Sequence, residues 1–315
     1  MLTKNLKKSE TKTAGDLLKE GKLVAFPTET VYGLGARADS ETAIKRLFDV
    51  KGRPIFNPLI VHVASIEMAK DIAVFDDQSN QLLRAFWPGP ITFVLPLKRN
   101  SGISKLVTAG LSTVAIRFPS SIIAQSILLA ANTPIAAPSA NLSGKISPTS
   151  AAHVFDSLNG KIDAILDGGV SQFGLESTII VTNPIRILRP GSITKEKLES
   201  IIGVNLLNKD EVSTISAPGQ LKSHYAPVSN VRLNVDSPNS HEILLGFGDV
   251  HNATLNLSPS ADLSEAASNL FRMLSEIDLI AIKSGIQTIG ISPIPRKGIG
   301  DAINDRIKRA AADRS

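Results

Sequence analysis

The sequence predicts an α/β protein of two domains, the larger one first. Three observations support this class. The chain has 315 residues, and a single domain usually holds about 100–200. From Leu23 to about Ile202, short β-rich runs alternate with segments of helical apolar spacing, the pattern of a sheet covered by helices. Residues 208–230 then interrupt that pattern before a second, shorter alternation begins.

Eight runs in the first domain are predicted strands. Each is short and mainly apolar, and most are bounded by Gly, Pro or Asn, as strands commonly are. They are Leu23–Phe26, Leu59–Val63, Thr92–Pro96, Val114–Phe118, Ile135–Ala137, Ala164–Leu166, Thr178–Val181 and Ile185–Leu188.

Five segments between these strands have apolar residues at i, i+3 and i+4 and are predicted helices. They are Glu41–Val50, Ile66–Phe75, Asp77–Phe86, Ser120–Ala131 and Thr149–Leu158. Ser40 is the predicted N-cap of the first, because a serine oxygen accepts from the free amides at a helix start. Ser147-Pro148 is predicted to open the last, with proline at the first helical position, where no N–H is needed.

Residues 208–230 have the composition of a linker, with charged residues, serines, two prolines and a glycine. The predicted domains are therefore 1–207 and 231–315, with 208–230 between them. The elements predicted in the second domain are a strand at Glu242–Phe247, a helix at Ser264–Ile277, a strand at Leu279–Ile282 and a helix at Ile299–Ala311.

Composition excludes several classes of protein. Hydrophobic residues make up 43% of the chain and charged residues 20%, which is typical of a folded globular protein and not of a disordered one. No apolar run approaches the roughly 18 residues of a transmembrane helix, and the Lys-rich start lacks the apolar core of a secretory signal. The chain has no cysteine, which excludes disulfides, thiolate zinc sites and cysteine nucleophiles. We therefore expect a cytoplasmic protein.

The net charge of +5 is concentrated at the two ends of the chain. An excess of +3 falls in the first thirteen residues and another +3 beyond residue 295, so the long middle is nearly neutral. Such a middle has no extended positive field to attract a polyanion. We therefore expect no stable binding of nucleic acid and no association with a membrane.

The common catalytic signatures are missing from the sequence. It contains no GxxxxGK[ST] phosphate loop, no GxSxG nucleophile elbow and no HExxH zinc motif. Gly33-Leu34-Gly35 and Gly246-Phe247-Gly248 each lack the third glycine of a dinucleotide-binding loop. The five histidines show no metal-ligand spacing, so we expect no metal held by the protein itself.

Four polar clusters lie at the ends of predicted strands in the first domain, where ligands of α/β proteins bind. They are Pro27–Gly35, Lys51–Leu59, Pro138–Thr149, and Gly174–Thr178 with Arg189–Gly191. Arg117 lies inside a predicted strand, where a charge is costly unless it is paired. Together these residues offer cations and hydroxyls without an evident nucleophile, which is typical of an anion-binding enzyme that acts by positioning and electrostatics.

Each feature also has a purely structural interpretation. Lys51 and Arg53 follow a predicted helix, so they can face solvent or offset the helix dipole. Ser139 belongs to a residue type favoured in any turn, and His62 can be a structural histidine of its strand. Arg117 fits either a structural ion pair or an anionic ligand. The residues alone leave these alternatives open.

At these clusters the chain resembles the YrdC-like family, the L-threonylcarbamoyladenylate synthases. The resemblance is carried by Lys51-Gly52-Arg53-Pro54, Asn57-Pro58-Leu59, Pro138-Ser139-Ala140-Asn141, Ser143-Gly144 and Glu176-Ser177-Thr178. In the linker, residues 217–227 (APGQLKSHYAP) resemble the two-domain form of the family. The resemblance implies a twisted, open mixed sheet with helices in the N-terminal domain, and a smaller Rossmann-like α/β domain at the C-terminus.

The resemblance also implies two sets of binding residues, carried over by position. The set for L-threonine is Thr30, His62, Arg117, Ser177 and the backbone of Ala137. The set for ATP is Arg53, Asn57, Thr113, Ser139, Asn141, Ser147, Arg189 and, from the linker, Tyr225. Lys51 and Arg53 are the implied catalytic cations, at the phosphates or the bicarbonate.

The implied reaction converts L-threonine, bicarbonate and ATP into threonylcarbamoyl-AMP and pyrophosphate by nucleotidyl transfer. Mg²⁺ would accompany the ATP and not occupy a dedicated protein site. The product would serve the threonylcarbamoylation of adenosine in tRNA, and the proteins that carry out that transfer are the expected partners.

Two rival functions are disfavoured by composition. A nucleic-acid-binding factor without enzymatic activity would need stacking platforms, and only 4% of the residues are aromatic. A carbamoyl-transfer enzyme of hydrogenase maturation contains a similar domain but uses cysteine-bound zinc, and this chain has no cysteine.

Overall fold

The computed structural model describes residues 2–203, 206 and 224–313, which form two sheets and the helices that cover them. The strands are β1 (Lys4–Leu6), β2 (Val24–Pro27), β3 (Tyr32–Arg37), β4 (Ile60–His62), β5 (Ile91–Pro96), β6 (Thr113–Arg117), β7 (Ile135–Ala136), β8 (Ala164–Leu166), β9 (Thr178–Thr182), β10 (Ile185–Arg189), β11 (Asn230–Leu233), β12 (Glu242–Gly246), β13 (Leu255–Asn256) and β14 (Thr288–Ile291). The helices are α1 (Thr11–Lys19), α2 (Glu41–Lys51), α3 (Ile66–Ile72), α4 (Asp77–Phe86), α5 (Ile122–Ala131), α6 (Ala151–Leu158), α7 (Lys195–Ile202), α8 (Leu263–Lys283) and α9 (Gly300–Ala310).

The N-terminal sheet is mixed, as the sequence predicts. Its strand order is β1-β8-β2-β3-β7-β4-β6-β5-β9-β10. Parallel pairs such as β4–β6 occur beside antiparallel pairs such as β2–β3 and β5–β6. The parallel register of β4 and β6 sets His62 directly beside Arg117, and the amide of Ala137, just after β7, bonds to the carbonyl of Ile60. Residues from distant segments therefore meet at one region of the sheet.

Helices cover both faces of this sheet. On one face, Leu18 of α1 and Leu128 of α5 pack with Phe26 of β2. On the other, Ile44 of α2 and Leu82 of α4 belong to the largest buried cluster. A sheet buried on both faces has strands that are apolar along their whole length, which is why its strands appear in the sequence as continuous apolar runs.

All eight strands and five helices predicted in the first domain are present, with bounds within three residues of those observed. Ser40 caps α2 as predicted, since its side chain accepts from the amide of Ala43. The prediction that Ser147-Pro148 opens α6 is wrong. Ser150 caps that helix instead, because the carbonyl of Pro148 is used by the amide of Tyr32 and the chain there runs beside β3.

The prediction also missed four elements of the first domain, namely β1, α1, β3 and α7. Of these, β3 forms part of the functional region. It contains two glycines, Gly33 and Gly35, which disfavour a strand when considered alone. Antiparallel pairing with β2 on one side and β7 on the other stabilises it.

The C-terminal domain has a four-stranded, all-parallel sheet in the order β11-β14-β12-β13, with α8 and α9 packed against it. The predicted strand Leu279–Ile282 is wrong, because these residues continue α8 as far as Lys283. Leu279 and Ile282 are exposed on that helix. A run of four apolar residues does not distinguish a strand from a helix, and here the turn comes later, at Gly285, with φ +69.

The two domains pack directly against each other. Val31 and Leu175 from the N-terminal domain join a buried cluster that contains Tyr225 and Phe271. Gly174 lies at the contact, with φ +66, and a Cβ atom there would lie 2.4 Å from the carbonyl oxygen of Ser268 on α8. Glycine is therefore required for the domains to approach this closely.

The predicted domain limits, 1–207, 208–230 and 231–315, remain a prediction. Residues 208–223 of the predicted linker, and residue 207 before it, lie outside the described residues, whereas residues 224–229 lead directly into β11. Within the described ranges, no helix combines the length and the apolar character needed to cross a membrane.

Candidate active site

A cavity opens where the turn after β2, the ends of β4, β6 and β10, and the residues just before β9 and β11 come together. It contains about 570 Å³ of empty volume, including its mouth. Its lining consists of Thr28, Thr30, Val31, Gly33, Arg53, Ile60, His62, Arg117, Ala137, Pro138, Ser139, Glu176, Ser177, Arg189, His224 and Tyr225.

Nine of the residues predicted to bind substrates line this one cavity. They are Thr30, Arg53, His62, Arg117, Ala137, Ser139, Ser177, Arg189 and Tyr225. The other five, which lie outside the lining, are Lys51, Asn57, Thr113, Asn141 and Ser147. The structure therefore brings together side chains from both the predicted threonine set and the predicted ATP set.

Arg117 lies at the end of β6 with a buried carboxylate behind it. Its Nη2 donates to Oε1 of Glu29 at 2.6 Å, and its Nη1 donates to Oγ1 of Thr30 at 2.9 Å. Burial raises the pKa of Glu29, but the charge and hydrogen bond of Arg117 outweigh burial and hold that pKa below its ordinary value. The structural ion pair is thus present, and Arg117 also lines the cavity, where its charge is available to an anionic ligand.

His62 is a buried, uncharged group beside Arg117. Burial and the charge of Arg117 lower the pKa of His62 to about 3, so the ring is neutral near pH 7. Its Nδ1 lies 3.3 Å from the carbonyl oxygen of Ile60. Because a carbonyl only accepts, this contact favours the tautomer with the proton on Nδ1 and leaves Nε2 as an acceptor. His62 is suited to accept a hydrogen bond and not to transfer a proton at neutral pH.

Arg53 and Arg189 are cations of the cavity wall whose hydrogen bonds go to carbonyl and hydroxyl oxygens. Arg53 donates to the carbonyls of Asn57 at 3.1 Å and Pro58 at 2.8 Å. Arg189 donates twice to the carbonyl of Ser177, at 3.2 and 2.9 Å, and once to its hydroxyl, at 3.2 Å. Within the described part of the chain neither forms an ion pair with a carboxylate. Burial and the charge of Arg189 lower the pKa of Arg53 to about 10, so its charge persists at neutral pH and attracts anions.

Lys51 lies beneath the loop that presents Ser139, and not at the cavity wall. Its Nζ donates to the carbonyl of Ser139 at 2.7 Å and to the carbonyl of Asn141. Burial and the charge of Arg53 lower the pKa of Lys51 well below its usual value. The side-chain amide of Asn141 donates to two carbonyls within its own loop. Lys51 and Asn141 therefore both fix the shape of this loop. The predicted contact of Lys51 with phosphate or bicarbonate, and that of Asn141 with ATP, remain predictions.

Asn57 and Thr113 are also outside the lining. The side chain of Asn57 is buried, and neither atom of its amide has a hydrogen-bond partner among the described residues. An orphaned buried amide is unusual, and a ligand beside Arg53 would satisfy it. Thr113 begins β6, four residues before Arg117, which is roughly 13 Å along a strand. The predicted contacts of both residues with ATP remain predictions.

Glu176 is the carboxylate of the cavity wall, and two hydrogen bonds hold it. Ser147 donates from Oγ to Oε1 at 2.6 Å, and Arg306 donates from Nε to Oε2 at 3.0 Å. Burial raises the pKa of Glu176, but Arg306 and Arg189 outweigh burial, so the carboxyl stays ionised with a pKa below its ordinary value. Ser147 thus bonds to Glu176 and lies outside the lining. Its predicted contact with ATP remains a prediction. Arg306 belongs to α9, so both domains contribute to this wall.

Tyr225 lines the cavity from outside the N-terminal domain, as predicted. Its backbone is left-handed, with φ 63, which is unusual for a bulky side chain. Its ring centroid lies 5.2 Å from that of Phe271 and 4.0 Å from that of His224. Its hydroxyl is buried without a partner among the described residues. Burial raises the pKa of Tyr225 to about 12, so the hydroxyl keeps its proton and is able to donate a hydrogen bond to a ligand.

Sequence reasoning assigned no role to Glu29, Glu176, His224 or Arg306. Two of them had a usable signal, because Glu29 and Glu176 lie inside the polar clusters, and a carboxylate is one partner that stabilises a buried arginine such as Arg117. Arg306 also had one. It occupies the apolar face of α9, together with Ala302 and Ile303, and a charge in an apolar stripe needs a buried partner.

Two family models match the chain, one after the other. The model described as "Telomere recombination" matches residues 16–191, more than half of the chain. The model described as "Threonylcarbamoyl-AMP synthase, C-terminal domain" matches residues 193–312. The order of the two matches agrees with the larger N-terminal and smaller C-terminal units of the structure.

Similar proteins agree with these matches. The threonylcarbamoyl-AMP synthase of Pyrococcus abyssi is 40% identical over 96% of this chain and 94% of its own length. That of Bacillus subtilis is 38% identical over 96% of this chain and 92% of its own length. The crystal structure of P. abyssi Sua5 complexed with L-threonine has a TM-score of 0.88 at 37% identity, over 99% of this chain and 98% of that one. The predicted fold class, a mixed α/β sheet followed by a smaller α/β domain, is confirmed.

Proposed function

Because the chain belongs to the threonylcarbamoyl-AMP synthase family, we propose that its cavity binds L-threonine and ATP side by side and joins them through bicarbonate. The family's activity is the formation of threonylcarbamoyl-AMP, a transferase reaction. One observation carries the assignment of the site: Arg53, Arg117, Ser139 and Ser177 come from four distant segments and line a single cavity.

The threonine end of the cavity is the region around Arg117. A planar guanidinium is the preferred partner of a carboxylate, which it binds through parallel charge-assisted hydrogen bonds. Glu29 fixes the orientation of that guanidinium. The hydroxyl of Thr30 and the neutral ring of His62 add uncharged polar groups beside Arg117. Ser177 adds a further hydroxyl to the same cavity, where it bonds to Arg189. Their chemistry suits the hydroxyl and amine of an amino acid whose carboxylate is held by Arg117.

The nucleotide end is the region around Arg53 and Arg189. Both guanidiniums bond to carbonyl or hydroxyl oxygens, and no carboxylate among the described residues pairs with either of them, so their charge is available to a triphosphate. Ser139 adds a hydroxyl to this wall, and Tyr225 adds a buried hydroxyl that has no partner among the residues the structure describes. We assign the ATP contacts to these four residues on the basis of charge and position.

The proposed reaction needs no nucleophile from the protein. The neutral amine of threonine attacks the carbon of bicarbonate, and loss of water leaves a carbamate. A carbamate oxygen then forms a bond to the α-phosphorus of ATP, while the bond from that phosphorus to the β-phosphate oxygen breaks. Pyrophosphate departs with the electron pair, and positioned cations stabilise its charge. The protein contributes orientation and electrostatic stabilisation, and its residues stay unmodified.

Mg²⁺ is proposed to accompany the ATP. The lining carboxylate, Glu176, has both oxygens engaged by Ser147 and Arg306, and the described residues contain no cluster of three potential metal ligands. Phosphate oxygens would therefore supply most of its ligands. The product is proposed to pass to the proteins that threonylcarbamoylate tRNA.

The test is the release of pyrophosphate from the full-length protein. Release is expected only when L-threonine, bicarbonate and ATP are all present, and label from threonine and from the α-phosphate of ATP should appear in one product. Equal release without threonine would refute the proposed function. Formation of ADP and phosphate in place of pyrophosphate would exclude nucleotidyl transfer. Calorimetry with threonine and with ATP would then show whether the protein still binds both substrates.

A further inference from the structure

Arg306 is a buried cation supplied to the cavity wall by the C-terminal domain. It is 1% exposed and does not itself line the cavity. Its Nε donates to Glu176 at 3.0 Å and its Nη1 donates to the neighbouring Asp305 at 2.8 Å. Its guanidinium carbon lies 5.5 Å from the ring centroid of Tyr225. The side chain thus touches two lining residues from behind.

We propose that Arg306 is a positioning residue for ATP: it neutralises Glu176 and supports Tyr225, so that the nucleotide end is complete only when the C-terminal domain is in place. This inference rests on the proposed function. It assigns a task to a domain that otherwise contributes no side chain to the lining in the described part of the chain, apart from the segment leading into it.

The charges of the wall explain why this neutralisation is needed. Glu176 faces the same cavity as Arg53 and Arg189. An unpaired carboxylate there would repel the phosphates of ATP and offset one of the two cations. With Arg306 behind it, the carboxylate is balanced, and the two wall arginines retain their excess positive charge.

The contact of Arg306 with Tyr225 also supports the nucleotide end of the cavity. A guanidinium over an aromatic face stabilises the ring by a cation–π interaction, and Tyr225 has a left-handed backbone that needs support from its surroundings. Arg306 and Phe271, both from the C-terminal domain, contact this ring. Loss of Arg306 is therefore expected to weaken both the charge balance and the shape of the nucleotide end.

The threonine end lacks this dependence on the second domain. Arg117, Glu29 and Thr30 all belong to the N-terminal domain and bond to one another. A change at Arg306 should therefore affect the two substrates differently: it should raise the KM for ATP much more than the KM for threonine. A role limited to the stability of the fold would not produce this split.

The experiment compares the full-length wild type with Arg306→Met, with Arg306→Met combined with Glu176→Gln, and with a control, Arg272→Met. Arg272 lies on α8 and pairs with Glu276 of the same helix. Initial rates of pyrophosphate release are measured against ATP and against threonine, with thermal unfolding of each variant. Arg306→Met is expected to raise the KM for ATP by about ten-fold or more, and the KM for threonine by less than about three-fold. The control should match the wild type.

The double variant is the decisive arm. Removing both charges leaves no unpaired carboxylate, so its KM for ATP should return to within about three-fold of the wild-type value, and the remaining difference reflects the lost contact with Tyr225. If Arg306→Met does not fold, this variant still decides the question. A double variant that binds ATP as poorly as the single one would show that Arg306 does not act through Glu176. An unchanged KM for ATP in Arg306→Met, or an equal rise for both substrates, would also overturn the inference. A wild type without threonine-dependent release would instead refute the proposed function, and this inference with it.

Discussion

Two buried carboxylate–guanidinium pairs flank the same cavity, and they face it in opposite senses. In the pair Glu29–Arg117, separated by 2.6 Å, the cation lines the cavity and the carboxylate lies behind it. In the pair Glu176–Arg306, separated by 3.0 Å, the carboxylate lines the cavity and the cation lies behind it. The first pair lies within one domain, whereas the second joins two.

The difference shows how similar ion pairs can serve different substrates. A buried pair is weak evidence for stability, because desolvation offsets much of its attraction. Its orientation is more informative. Arg117 is proposed to bind the substrate carboxylate, while Glu29 keeps its guanidinium in place. Glu176 offers a charge that would repel phosphate, so its partner must cancel that charge, and the cations proposed to face ATP are the separate residues Arg53 and Arg189.

The largest effect is expected from Arg117→Met, which removes the cation that faces the cavity. Turnover with threonine should fall by at least about 10³-fold, because the substrate carboxylate loses its charged partner and Glu29 is left buried and unpaired. Breaking a buried pair typically costs about 3–5 kcal/mol in the free energy of unfolding. Urea unfolding and kcat/KM for threonine measure the two effects separately.

The matched control combines Arg117→Met with Glu29→Gln. Stability should recover in large part, since no uncompensated charge remains, but turnover should not. A double variant with restored turnover would show that Arg117 only balances Glu29 and has no contact with threonine. This outcome would remove the proposed difference between the two pairs.

A smaller effect is expected from Arg53→Ala, which removes a cation that pairs with no carboxylate in the described part of the chain. Loss of one positioned charge near the phosphates should lower kcat by about 10²–10³-fold. The partners of Arg53 are carbonyls, so no buried charge is left behind, and the free energy of unfolding should change much less than in Arg117→Met. The exposed Arg84 on α4 provides the control substitution, Arg84→Ala. Unchanged kinetics in Arg53→Ala would exclude that residue from the site.

The sequence correctly predicted those helices and strands whose formation depends mainly on neighbouring residues in the chain. The bounds of α4 and β8 were predicted to the residue, and the cap of α2 at Ser40 is present. The strand β3 was missed because its glycines form a strand only through bonds to β2 and β7. The end of α8 was missed because a short apolar run such as Leu279–Ile282 fits both kinds of element.

In the candidate site, too, residues within local motifs were predicted, and contacts that depend on tertiary packing were not. Dense polar clusters, and the resemblance they carry, placed Arg53 and Ser139 in one cavity, and the structure brings them together. The interdomain pair was not predicted, because 130 residues separate Arg306 from Glu176 and no local pattern states which helix packs behind a given loop. The hydrogen bonds of Lys51 to two carbonyls of the Ser139 loop were not predicted either, because only the fold brings its ammonium to that loop.

Hydroxyl groups at the two pairs allow a finer comparison. Thr30 accepts from Arg117 at 2.9 Å, and Ser147 donates to Glu176 at 2.6 Å. A hydrogen bond to a charged group contributes about 1.5–3 kcal/mol, so each loss should change one KM by roughly ten-fold or more. Ser147→Ala is expected to raise the KM for ATP, and Thr30→Val the KM for threonine. If both substitutions raise the same KM, the cavity does not have separate threonine and nucleotide ends.

The smallest effect concerns the stability of the protein in mild acid. His62 lies at the threonine end and His224 at the nucleotide end, and burial lowers the pKa of each to about 3. An unfolded histidine binds a proton near pH 6.5. As the pH falls from 7 to 5, the unfolded state therefore gains protons that the folded state does not, and the free energy of unfolding decreases. The stabilisation by the two neutral histidines is fully present above pH 6.5 and is lost progressively toward pH 3.

Glu29 and Glu176, whose pKa values lie below the ordinary value, add to the loss of stability only in stronger acid, below about pH 4.5.

Urea unfolding at pH 7, 6 and 5 tests this expectation. Each buried histidine should account for at most about 2 kcal/mol of the decrease between pH 7 and 5. His62→Gln and His224→Gln should therefore each reduce the dependence on pH, and His241→Gln, at an exposed position, should not. If His62→Gln reduces the dependence of the free energy of unfolding on pH but His224→Gln does not, the ring of His224 is accessible to protons in the folded protein. The wall contributed by the second domain would then open in solution while the threonine end stays closed, which would sharpen the contrast between a pair within one domain and a pair that joins two.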